Sequence, residues 1–261
     1  MASRGALKAS QIQGVGRELG VGSLAGMLVG VVVGGIGARV AMRLIGIMTA
    51  PSFIGTQTAN GNRVGDITLS GTLELVVFDG AIAGALGGAL YAVVRPWLAR
   101  SGRWAGLAFG AFLLAALGSA ILDPQNGDFR RLGSPPLDVA LFAVIFVVFG
   151  LLIVPLAERI AQALASGRTT WTDALRAVVW LATLPAGAIS VILVAAAVGD
   201  LIRGTEPRLP AAFVFVGLIL VALALRSARK TTGRLSYALL AAPSLAGLLL
   251  TLDRVAKLME L

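Results

Sequence analysis

Arg39 and Arg43 stand four residues apart near the end of a long apolar run, and Glu74 and Asp79 stand near the start of the next one. A four-residue step places both guanidinium groups on one helix face. If the two runs form antiparallel helices, all four charges fall at one depth. By insertion scales, a charge at the centre of a membrane helix costs roughly 2.5–3.5 kcal/mol, and an opposite charge at the same depth offsets part of that by pairing. The spacing therefore predicts that Asp79 pairs with Arg39 or Arg43. Two readings are open. One is a structural ion pair. The other is a ligand or ion site open to the outer side, since ionisable groups within membrane segments often mark function. The helix dipole also favours an acid in a first turn, as for Glu74, and arginines near a helix C-terminus.

A second group, Asp123, Asp128, Arg130, Arg131 and Asp138, lies in and beside the sequence DPQNGDFRRLGSPP. Arg130 and Arg131 are candidates for receiving a phosphate or carboxylate; solvated loop charges are the plainer alternative. Asp66, Asp123 and Asp128 are oxygen donors, but no calcium-loop spacing joins them, so no metal site is predicted. Pro185 and Pro243 fall inside apolar runs, where each removes a backbone donor and frees the carbonyl four residues earlier, at Leu181 and Leu239. Asp253 and Lys257 are four apart in the last run, as beside a retinal Schiff base, but they lie at its outer end, where a buried cofactor is implausible. No cofactor is predicted.

The elements that carry these groups can be read from composition. Of the 261 residues, 57% are hydrophobic and 13% charged, with a mean hydropathy of +0.89. A soluble domain carries about 25% charged residues, and a folded surface of this size cannot hide so much apolar area from water. This excludes a soluble enzyme and a nucleic-acid-binding domain. The chain has neither Cys nor His. Disulfides, thiol nucleophiles, Ser–His pairs and HExxH zinc sites are thereby excluded. With a spanning helix needing roughly 20 apolar residues, seven stretches are read as spans: about 19–48, 73–97, 104–122, 137–157, 174–198, 209–225 and 235–252. The predicted fold is an all-α, polytopic transmembrane helical bundle. Residues 1–18 form a polar leader expected to be mobile or to lie along the membrane surface, 19–165 a glycine-rich helix group with two outer loops, and 166–261 a Pro-kinked C-terminal group.

Residues 1–133 hold 25 of the 33 glycines. Gly22, Gly26, Gly30 and Gly34 recur every fourth residue, with Ala38 continuing the row, and Gly80, Gly84 and Gly88 repeat it in the second run. Small residues at this spacing leave a groove for another backbone, a glycine-zipper pattern. The rows predict close packing of spans one to three, with Gly106 and Gly110 as a shorter version in the third; a homodimer face is the alternative. In the first loop, Asn60-Gly61 suits a tight turn, about which Ile54–Thr58 and Arg63–Leu69 are expected to pair. The Pro and Gly residues of the second loop, Asp123–Pro136, argue against regular structure there.

The runs GGIGARVAMRLIG and NGNRVGDITLSGTLELVVFDGAIAGALGGALYAVVRPW, followed by RWAGLAFG and ILDPQNGDFRRLGSPPLDVALF, resemble a group of uncharacterised polytopic integral membrane proteins of high-GC bacteria. The resemblance covers approximately residues 30–150. It implies a bacterial inner-membrane location and carries no activity, catalytic residue or cofactor. The leading functional expectation is a structural, binding or accessory membrane component, in contact with the lipid bilayer and with a homo-oligomer or membrane-protein partner. A small transporter or channel using Arg39, Arg43, Glu74 and Asp79 is the alternative, and a lipid-modifying enzyme centred on Asp79 a third. Placing the N-terminus in the cytoplasm puts 13 of the 22 basic residues inside, as the positive-inside bias requires. A reporter that fluoresces only in the cytoplasm should accordingly be bright when fused before Met1 and dark when fused after Leu261.

Overall fold

The computed structural model describes residues 2–57, 63–64, 66, 68–132, 134–166, 172–182, 187–188, 192, 195, 210–227 and 233–260, with side chains from residue 14 onward except at 79, 130, 210–213 and 227. The chain is all-helical. Helix α1 (Ala2–Gly30) passes through a π-helical segment (Val31–Gly37) into α2 (Ala38–Met48), making one rod. A second rod comprises α3 (Leu69–Glu74), a π-helical segment (Leu75–Ile82) and α4 (Ala83–Leu98). Then come α5 (Ala105–Leu117), the single turn α6 (Asp128–Arg131), α7 (Pro135–Ala165), α8 (Pro210–Ser227) and α9 (Arg234–Met259). Among the described residues, four stretches are long and apolar enough to cross a membrane: Gly14–Met48, Leu69–Ala120, Pro135–Ala165 and Arg234–Met259. The 52-residue stretch is bent at Gly102, whose φ of 51° and ψ of −126° belong to a glycine. The region expected as a fifth span is described only in part, and Pro185 lies outside the described residues.

Local sequence explains several boundaries. The Thr68 hydroxyl accepts a hydrogen bond from Gly71 N at 3.2 Å, capping α3. The helix therefore begins at Leu69 and truncates the expected pairing of Arg63–Leu69. Among the described residues the pairing consists of one antiparallel bridge, Gln57 with Arg63, flanked by Gly55 N to Val64 O and Val64 N to Thr56 O, both 2.9 Å. Asn60 and Gly61 lie outside the described residues. Asp123–Pro136 is also more regular than expected. It holds the turn α6, and its prolines open α7, since proline's fixed φ suits the first helical position. The leader's backbone is helical from Ala2 and continuous with the first rod.

The two rods pack antiparallel. A Cβ on Gly26 would stand 2.1 Å from the Gly84 carbonyl oxygen, one on Gly30 2.1 Å from that of Gly80, and one on Gly22 2.3 Å from that of Gly88. The first rod turns another face outward. Leu28, Val32, Ile36 and Val40, four apart, are all exposed. Such an apolar stripe marks a surface that meets lipid or another protein. The glycines of α5 do not meet the first two rods. A Cβ on Gly106 would lie 2.9 Å from the Gly150 carbonyl oxygen, and one on Gly110 2.8 Å from that of Phe146, both on α7. The expectation that spans one to three pack together is met only in part: α1 lies on α4 and α4 touches α5, but the glycines of α5 face α7, which also touches α1. Helix α9 closes on α5 where a Cβ at Gly247 would meet the Ala116 carbonyl oxygen at 2.4 Å.

Gly26→Leu has no room short of separating the rods, so it should lower stability in detergent by about 3 kcal/mol or more. Gly46, with nothing within 4 Å of its added Cβ, is the control. Gly46→Ala should be neutral or stabilising by up to ~1 kcal/mol. Denaturant titration followed by circular dichroism measures both.

Candidate functional site

The two π-helical segments lie side by side. A π turn adds one residue to a helical turn, so it rotates the helix beyond it and often occurs at functional positions. In the first rod the step from Gly30 to the next close approach lengthens to five: a Cβ on Gly35 would meet Val76 Cγ2 at 2.9 Å. Gly34 is half-buried. On the facing segment, a Cβ at Gly80 would lie 3.0 Å from the Gly30 carbonyl oxygen and 3.3 Å from Gly35 N. Of the residues expected to pack, Gly22, Gly26, Gly30, Gly80, Gly84 and Gly88 are thus brought together in three facing pairs, and Gly35 takes the next close approach in place of Gly34.

Arg39, Arg43 and Glu74 sit just beyond this junction, and Asp79 falls within its second π segment. Arg39 is half-buried, and its Nε is buried with no hydrogen-bond partner among the described residues. Arg43, one turn on, is exposed, as is Glu74 on the second rod. The side chain of Asp79 is outside the described residues, and so is its expected pairing with either arginine. What the arrangement offers chemically is a permanently charged donor whose buried N–H has no partner among the described residues, next to two locally widened helices. That chemistry suits an anion. It supplies no nucleophile, and among the described residues no cluster of acids could hold a metal ion.

The outer-loop residues are largely engaged. Arg131 donates to Asp128 Oδ1 at 3.1 Å and to the Gly127 carbonyl at 3.3 Å. Asp123 accepts from Arg254 of α9 at 2.6 Å and from Gln125 N at 3.2 Å. The Arg130 side chain is outside the described residues. Asp138, in the first turn of α7, is only 2% exposed, and its Oδ1 has no partner among the described residues. Lys257 pairs with Asp253 at 2.7 Å, both exposed.

Sequence reasoning missed the polar links at the other end. Arg226, in the last turn of α8, donates to Glu18 of α1 and to the Ala92 carbonyl of α4, the latter at 2.9 Å. Trp97 Nε1 donates to Ser236 Oγ at 3.2 Å, and Ser236 donates to the Gly233 carbonyl at 2.7 Å. Arg17 reaches the Ala161 carbonyl at 3.5 Å. These contacts tie α1, α4, α7, α8 and α9 at one end. The sequence offered only a faint signal: Glu18 and Arg226 flank apolar runs on the side predicted to be the same. The chain matches no protein family, no curated protein and no solved structure.

The two arginines should respond oppositely to neutralisation. Arg226→Met strips α1 and α4 of a shared charged donor and should cost about 1.5–3 kcal/mol. Arg39→Met removes a charge whose Nε has no described partner and should leave stability within about 0.5 kcal/mol or raise it. Unfolding midpoints in one detergent compare them directly.

Proposed function

We propose that this chain is a seven-span bacterial inner-membrane protein, N-terminus inside and C-terminus outside, acting as a structural, binding or accessory component of the membrane. The observation that carries this reading is the backbone-to-backbone contact of Gly22, Gly26 and Gly30 with Gly88, Gly84 and Gly80. Contact at that distance, repeated over two turns, builds a rigid scaffold rather than a passage, since a glycine zipper gains its stability from close packing. The exposed apolar stripe of the first rod supports a lipid or membrane-protein partner. Arg17, Arg100, Arg103, Arg226 and Arg234 gather at the end read as cytoplasmic, as the basic-residue bias favours.

A second reading, a small transporter or channel for an anion, rests on one observation. Arg39 presents a buried Nε with no partner among the described residues, beside two adjoining π segments. Local breaks of helix geometry serve ion and substrate sites in transporters.

Native mass spectrometry of the chain released gently from its own membrane separates the two. The scaffold reading expects a second polypeptide, either another copy or a different membrane protein, at fixed stoichiometry. A single chain carrying a small anion that Arg39→Gln or Arg43→Ala releases would overturn it in favour of transport.

A further inference from the structure

At the arginine-rich end, α4, α5 and α9 enclose an open-sided groove of about 240 Å³, lined by Val94, Trp97, Phe112, Tyr237, Leu240 and Ser244 among others. Nearly all of this lining is hydrocarbon. Two of its polar groups are internally satisfied: Trp97 by Ser236, and Ser244 by the Leu240 carbonyl at 2.7 Å. The Tyr237 hydroxyl is not; it is buried and has no partner among the described residues. The same tyrosine joins the groove to the charged rim, because the Arg100 guanidinium lies 5.1 Å from its ring centre. Arg234 begins α9, three residues before Tyr237. Arg103 lies 5.1 Å from the ring of the exposed Trp104. No Asp or Glu occurs in residues 80–122 or 207–252, the two stretches that supply both walls and rim. The rim is therefore cationic without acidic neighbours on its own elements, and it opens onto a slot of acyl-chain character. Tyrosine and tryptophan mark the level where hydrocarbon gives way to headgroups.

We propose that this groove binds one anionic phospholipid, with an acyl chain along the apolar walls, a headgroup oxygen at the Tyr237 hydroxyl and the phosphate at Arg100, Arg103 and Arg234. Basic pockets between membrane helices recognise anionic headgroups in this way. The site is separate from Arg39, which lies at the opposite end; it rests on the membrane location proposed above and not on the choice between scaffold and transporter.

The test uses the full chain in nanodiscs holding phosphatidylglycerol and phosphatidylcholine in equal amounts, ejected for native mass spectrometry. One phosphatidylglycerol should remain per chain, at least tenfold preferred over phosphatidylcholine. Equal retention of the two lipids would overturn the proposal. Free glycerol phosphate at millimolar concentration should not displace the lipid; displacement would mean that the groove takes no part. Arg100→Gln with Arg234→Gln should reduce phosphatidylglycerol to the phosphatidylcholine level, with unchanged circular dichroism as the check on folding. If that variant does not fold, the wild-type preference decides.

Discussion

Three carbonyl oxygens of α4 and the π segment before it point at the places where the first rod would carry Cβ atoms, at 2.1–2.3 Å from them. No residue larger than glycine fits at Gly22, Gly26 or Gly30 without parting the rods. In lipid the solvent is as apolar as leucine, so helices gain little by burying hydrocarbon against each other and must gain by dispersion at close range. Glycine at every fourth position provides that proximity continuously over two turns. The rest of the arrangement depends on it. Only with the rods this close can Arg226 of α8 reach Glu18 on one rod and the Ala92 carbonyl on the other, one turn beyond Gly88. The clamp at the arginine-rich end is a consequence of the glycine contact.

The same proximity bears on the π segments. Beyond the closest glycine contacts of α1 and α4, the rods go on touching where both leave regular α geometry, at Val31–Gly37 and Leu75–Ile82. A single π turn would rotate one contact row away from the other. Two π turns facing each other let both rows continue in register, so that Gly35 takes up Val76 where Gly30 took up Gly80. The rotation also sets the burial of α2. Ala38 and Ala41 are buried while Arg39 is half-buried and Arg43 exposed. The helix deviation and the placement of the arginines are thus one structural fact.

The glycine row from Gly22 to Gly30 and its partner from Gly80 to Gly88 are legible in sequence because the period alone defines a face. The π segments are not. Their sequences, VVVGGIG and LVVFDGAI, carry no local signal that distinguishes a five-residue hydrogen-bond register from a four-residue one; the choice is made by the neighbouring rod. The third short row, Gly106 and Gly110, is equally visible, but its partner is not. Gly150 is the lone glycine of its run, so the helix that receives the row shows no matching row of its own. A row predicts a groove and leaves open which helix fills it. The start of α3 shows a smaller version of the same limit. The Val and Ile content of Arg63–Leu69 suggests a strand, yet the Thr68 cap satisfies an orphan N–H and lets the helix begin.

Charge shows how the two ends come to differ. At the end carrying α6, charges meet charges: Asp123 with Arg254, Asp128 with Arg131, Asp253 with Lys257. The basic end has more arginine than acid and accommodates it by other means. Arg226 takes the one acid of α1 and a backbone carbonyl, while Arg100 and Arg103 lie over aromatic rings. Cation–π attraction engages the face of a guanidinium and leaves its charge in place. The walls of 80–122 and 207–252 contain no Asp or Glu, so the arginines of this end stand beside an apolar slot with no acid on the same elements.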